Sequence, residues 1–246
     1  MNETNQSCPT ITLRIPGDWS HPRDLLKRMP DGFRLTPDNL FLPDETSIEF
    51  TPMPPDEQFP EIFKSSCRRP ATVDELAIVA RYTVNVGLSG PGGSMESALQ
   101  MMQAAAAIVS AGGAGVFIDN SLMAHGGGDW IAMTDDGGPD AISFAFASIV
   151  RGQHEVYTMG MRTMGLPDLL ISPADVDENV ETLIEIIRYV CSSERTIDVG
   201  HLLADEEGPR FQVVANGTDD FDRPSAIHNP FGRLRIVSVK NLAEGN

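Results

Sequence analysis

Apolar and polar residues alternate at the start of the chain. Ile11, Leu13 and Ile15 share one parity and Thr12 and Arg14 the other, which predicts a strand ended by Pro16-Gly17. Ser20 is placed to cap a short helix carrying Leu25, Leu26 and Met29, with Pro22 in its first turn. Pro30-Asp31-Gly32 is a turn, since proline fixes φ and glycine tolerates the left-handed region. The runs FRLT, NLFL and SIEFTP then read as short strands, parted by Pro37-Asp38 and Pro43-Asp44-Glu45. Met53–Phe63 reads as a connection with one helical turn, and residues 65–71 (SSCRRPA) as a surface linker. Two arrangements follow. Either a β-rich segment, 1–71, stands apart from a main α+β domain, 72–246, or both share one sheet.

The longest periodic stretch runs from Ala80 to Trp130. Tyr82–Val86 is rich in β-formers, and Gly87–Gly93 breaks the run. Ser94 caps a long helix in which Met95, Leu99, Met102, Ala106 and Val109 recur at helical spacing. Ala104–Ala107 are small enough to let that helix lie close to a sheet, and Gly112-Gly113 ends it. AGVFI is an apolar strand of the kind covered on both faces. Residues 80–118 therefore form a β-α-β unit whose strands are parallel and neighbouring, or nearly so.

A polar loop follows, then a helical turn round Trp130. Residues 142–172 read as an antiparallel meander of ISFAFASIV, HEVYTMGMRTMG and LPDLLIS, although a helix also fits Ala141–Ile149. Asp177–Ser193 carries Val180, Leu183, Ile184, Ile187 and Val190 on one helical face. Residues 196–209 read as irregular, and FQVVA and LRIVSV as late strands. The expected class is α+β, a mixed sheet with helices packed on it.

Charge changes the picture more than composition does. The 246 residues carry 35 acids against 18 bases, a formal charge of −17, which disfavours nucleic acid and anionic membrane surfaces by repulsion. A chain of this length buries roughly 70–75% of its unfolded surface, so it needs no disulfide or metal staple. Cys8, Cys67 and Cys191 are far apart and form no CxxC or Cys/His pattern, as expected of free thiols in a reducing cytosol. The polar N-terminus lacks the pattern of a secretory leader. No apolar run reaches the ~18 residues of a membrane span. The expected protein is soluble and cytoplasmic.

Three stretches can carry chemistry. Asp119, Ser121, His125 and Asp129 crowd after a buried strand, where an Asp and a His six residues apart can hold a metal or work as acid and base. The structural alternative is an Asx-turn at Asp119 or Asn120 with His125 bonded to backbone. A metal would need a third ligand, and the loop offers no second His and no Cys, so no metal site is assigned. Gly90, Gly92, Gly93 and Ser94 open a helix and can cradle an anion on backbone N–H groups. Their spacing is not GxGxxG, and Pro91 removes a donor. Tyr157–Asp168 holds alternating methionines, which can line a soft groove or face a core, and Arg162 and Asp168 can pair across its bend.

AxxxVxAGGAGVFIDNSxxxHGxxDW followed by YTMGMRTMGLPDLLIS resembles an uncharacterised bacterial domain-of-unknown-function family. The likeness covers about residues 80–200. It is carried by Gly113, Gly115, Gly160 and Gly165 with Tyr157, Thr158, Pro167 and Asp168. It implies an α+β fold, with some relatives in toxin–immunity neighbourhoods, and it implies no catalytic residue; the cofactor, if any, is left unknown. The first 70 residues have no counterpart in it.

The expectation favoured here is a non-catalytic binding, immunity or regulatory module with a basic protein partner. The alternatives are a hydrolase-like or metal-dependent enzyme built on Asp119, Ser121, His125 and Asp129, and a phosphate-bearing ligand at Gly90–Ser94.

Overall fold

The computed structural model describes residues 9–177, 180–192, 197–205, 208–216 and 228–240. Cys8 and most of the loop before the last strand lie outside them. The first half of the chain runs β1 (Thr10–Gly17), α1 (Pro22–Arg28), β2 (Arg34–Leu35), β3 (Asn39–Phe41), β4 (Ser47–Met53), α2 (Phe59–Ser66), α3 (Val73–Ala80) and β5 (Val84–Pro91). Next come α4 (Met95–Ser110), β6 (Gly115–Ile118), β7 (Met123–Gly126), α5 (Gly127–Asp136) and α6 (Pro139–Phe146). Then follow β8 (Ser148–Arg151), β9 (Val156–Met159), β10 (Asp168–Ile171), α7 (Glu181–Ser192), β11 (Leu202–Asp205), β12 (Gly208–Ala215) and β13 (Arg233–Ser238).

The fold is α+β, with helices packed on two sheets. The larger sheet is antiparallel throughout, in the order β2-β3-β4-β5-β1-β6-β7. The smaller, β11-β12-β13-β10-β9-β8, is mixed, with β10 and β13 parallel. Strands β5 and β6 run in the same direction with α4 between them, but β1 fills the place between and pairs with both. Strands from before and after residues 65–71 thus lie in one sheet, because β1 and β4 each pair with β5.

Small side chains explain how α4 sits. Ala98, Ala104, Ala105 and Ala107 are buried, and the helix packs on β1, β5 and β6. Its partner α5 is tied to it by Trp130, whose Nε1 donates to the Met102 carbonyl at 3.1 Å. One apolar cluster runs from Ile11 in β1 through Met101 and Ile108 in α4 and Phe146 in α6 to Leu169 and Val213 in the smaller sheet. A second cluster, Phe59, Phe63, Val79, Tyr82, Phe117 and Ala124, covers the other face of β6 and β7 with α2 and α3.

Several elements differ from the sequence reading. Met53–Phe63 holds more than one turn, since α2 spans eight residues. The antiparallel meander β8-β9-β10 is present, but its first strand begins at Ser148. Residues 139–146 are α6, whose alternating apolar positions also match a helix packed on two sides. Strand β9 stops at Met159, and Met161–Met164 is a 3-10 turn between two glycines at positive φ. The stretch read as irregular contains β11.

Candidate functional site

The loop after β6 was expected to gather four side chains, and the sheet separates them instead. In β6, Val116 and Ile118 face the larger core while Phe117 faces the second cluster, as strand alternation requires. His125 pairs with Val116 across the β6–β7 ladder, so it shares the face of the larger core. Arg14 pairs with Phe117 and points the other way, and Asp119 joins Arg14 on that opposite face at 2.8 Å. Asn120 uses its amide as an extra rung of the sheet. Its Nδ2 donates to the Thr10 carbonyl at 2.8 Å, and its Oδ1 accepts from the Thr12 N–H at 2.9 Å. These bonds to β1 replace the expected Asx-turn.

His125 is 1% exposed, between the rings of Trp130 and Phe144. Its Nε2 lies 3.1 Å from the Ala145 carbonyl. A carbonyl only accepts, so Nε2 carries the proton and Nδ1 is bare, buried and without a partner. Burial drives the histidine pKa down to about 4, aided by the nearby charges of Arg68 and Arg69 and opposed by the Ala145 bond. Asp129 lies in the first turn of α5, 3.9 Å from Arg69. Ser121 sits in the hairpin turn, its carbonyl accepting from Ser148 and its own buried hydroxyl unpartnered. Among the described residues, no hydrogen bond or ion pair joins any two of Asp119, Ser121, His125 and Asp129. No cluster of three His, Cys, Asp or Glu side chains is placed among them to hold a metal ion. Hydrolytic or metal chemistry on these four residues therefore lacks the convergence it needs.

The glycine-rich stretch is also structural. Gly90 and Pro91 belong to β5, and Gly90 leaves room for Met101 and Ile48. The Gly92 N–H donates to the Pro9 carbonyl and the Gly93 N–H to the Thr163 carbonyl, at 2.7 and 2.9 Å. Ser94 caps α4 by accepting from Ser97 N. The two glycine amides that would face an anion are thus spent on carbonyls.

In the third stretch Arg162 donates to the His228 carbonyl at 2.7 Å, and no ion pair with Asp168 forms. Asp168 is 3% exposed and accepts from Asn229 at 3.0 Å and from the Thr158 hydroxyl at 3.3 Å. Burial pushes its pKa up to about 6 against those bonds and the charge of Arg233. This triad joins β9, β10 and the turn before β13. The His201 Nε2 lies 3.1 Å from the Tyr189 hydroxyl.

No family model, curated protein or solved structure matches the chain. Its functional reading rests on its own geometry.

Two concavities stand out. An apolar groove of about 350 Å³ lies between α1 and β2, β4 and β5, lined by Trp19, Leu25, Leu26, Leu35, Phe50 and Val84. Leu26 is 49% exposed at its rim. Between Asp18 and Glu57 the chain carries nine acids against four bases, three of which, Arg23, Lys27 and Arg28, lie on α1 itself. The second is a cavity of about 630 Å³ beside the β6–β7 turn. Sequence reasoning missed both, since each is made of residues far apart in the chain.

Proposed function

We propose that this chain is a non-catalytic binding module that takes a basic partner protein at the apolar groove beside α1. The observation that carries this reading is the groove itself, an unfilled apolar surface within the most acidic stretch of the N-terminal half. Apolar anchors set in a charged rim are how protein interfaces divide affinity and steering. A second copy is the less suitable occupant, because two chains at −17 repel each other. The likeness of residues 80–200 to a family with relatives in toxin–immunity neighbourhoods supports the same reading. So does the dispersal of the four polar residues after β6. The unpaired cysteine pattern favours a reducing, cytoplasmic setting. Among the described residues no helix is long and apolar enough to cross a membrane.

A photo-crosslinker in place of Leu26 tests this in the source cells. The expected product is a covalent adduct with a basic protein. The purified pair should weaken at least tenfold between 50 and 500 mM salt, and Leu26→Asp should weaken it further. An adduct with a second copy, or binding indifferent to both salt and Leu26→Asp, would overturn the reading.

A further inference from the structure

The cavity beside the β6–β7 turn contains a positive charge, Arg68, that has no ion pair among the described residues. Arg68 follows the end of α2 and is partly buried. Its Nη1 donates to the carbonyls of Phe144 and Ala147 at 2.9 and 2.8 Å, and its guanidinium lies 3.9 Å from the centre of the Phe144 ring. Those carbonyls end α6, whose dipole offers only a fraction of a negative charge. A guanidinium has five N–H donors. The two bonds use Nη1, while Nε and Nη2 make no hydrogen bond among the described residues.

Among the described residues Arg68 has no ion pair, whereas Arg69 is 3.9 Å from Asp129 and Arg188 is 3.8 Å from Asp140. The charges that act on Arg68 are those two arginines, and with burial they lower its pKa to about 10. Three cations gathered in a chain of net charge −17 run against its overall balance. Arg68 is only partly buried, and its unbonded Nε and Nη2 are not sealed from solvent, so they are free to meet a ligand.

The walls of the cavity are of two kinds. Arg68, Ser121 and Ser148 give it a polar end. Ile149, Met159 and Ile184 give it apolar walls. Its volume lies in the range of small-molecule sites.

We propose that this cavity binds a small amphipathic monocarboxylate, its head on Arg68 and its apolar body against Ile149, Met159 and Ile184. The planar fork of arginine matches a carboxylate in two-point contact. Among the described residues Arg68 is the one cation on the walls, which suits one negative charge rather than the two of a phosphate monoester. The site is separate from the apolar groove and does not depend on the partner proposed there.

Octanoate serves as the probe, with octanamide and octyl phosphate for comparison, in calorimetry on the full chain. Octanoate is expected to bind in the micromolar to low millimolar range and to raise the melting temperature. Octanamide should bind at least tenfold more weakly, and octyl phosphate more weakly than octanoate. Arg68→Met should remove the preference for octanoate over octanamide. Arg68 also holds the end of α6, so a second variant, Ile149→Trp, fills the cavity and leaves those bonds in place; it should abolish octanoate binding. In the wild type, the Arg68 Nε–H resonance should shift with octanoate. No octanoate binding at 10 mM, equal binding of acid and amide, or unchanged binding by Ile149→Trp would each overturn the proposal.

Discussion

His125 and Asp168 show how one side chain's surroundings outweigh its type. Both are buried, and burial favours the neutral form of each, so the histidine titrates low and the aspartate high. Their effects on stability have opposite signs. The folded protein holds His125 neutral down to about pH 4 while the unfolded chain protonates near 6.5, so this term is intact above 6.5 and lost as pH falls. Asp168 takes up its proton near pH 6 when folded and near 3.8 when unfolded, so its term favours the fold at low pH and is lost as pH rises to 6. Each amounts to about 3 kcal/mol, and they oppose each other between pH 4 and 6. Asp168→Asn removes one of them. Urea unfolding at pH 4.5 and 7.0 is then expected to show stability rising more steeply with pH in the variant than in the wild type. The same rise in both would show that Asp168 is not buried as an acid. Neither shift was legible in the sequence, where His125 read either as a loop ligand or as a side chain bonded to backbone, the second of which the Ala145 bond matches, and Asp168 as a group that can pair with Arg162.

Among the elements, caps and turn glycines were the most legible. Ser94 before α4 accepts the bond expected of it, and Thr72 before α3 forms a reciprocal capping box with Glu75. The further reach of Glu75 was not legible. Its carboxylate also accepts from Gly128 at 2.9 Å, capping α5, which has no side-chain cap of its own. Burial works to raise its pKa, and the Gly128 and Thr72 bonds outweigh that and hold it below the usual carboxylate range. Gly160 and Gly165, both at positive φ, frame the 3-10 turn after β9. A Cβ on Gly165 would run into the Gly93 carbonyl, so this turn and the β5–α4 loop meet as bare backbone. Gly165→Ala is expected to cost more than about 2 kcal/mol, from the strained φ and the overlap together. Chemical denaturation measures it, and a loss under about 0.5 kcal/mol would mean the two loops do not touch. The helix at 139–146 was the harder case, because five or six apolar positions suit either period when both sides are covered.

At the scale of the molecule, β1 matters most. It lies inside the larger sheet, next to the central strand β5, and pairs with β5 along its length and with β6 at Leu13 and Arg14. A fragment 72–246 lacks it and would leave β5 and β6 apart, with α4 facing a gap. That fragment is expected to show no cooperative thermal transition and no dispersed amide spectrum. Addition of a peptide spanning residues 9–18 alone should not restore either, because β4 also borders β5. A fragment that melted cooperatively would show that residues 1–71 are an accessory to a self-sufficient domain.

Local chemistry was enough to place α4 with its Ser94 cap, the strands on either side of it and their common direction, but not the cap of α1, which is His21 where Ser20 was expected. Each of these depends on residues within one or two turns of one another, where periodicity, small side chains and glycine act directly. Three other matters were decided only when distant segments met: the insertion of β1 between β5 and β6, the opposite facing of Asp119 and His125, and the placing of Arg68 against the end of α6. Strand order and burial depend on which surfaces cover one another, and a chain's spacing does not encode that cover at any single position. The cavity at Arg68 is the clearest instance. Its walls come from α2, the β6–β7 turn, β8, β9 and α7, and no run of sequence holds more than a few of them.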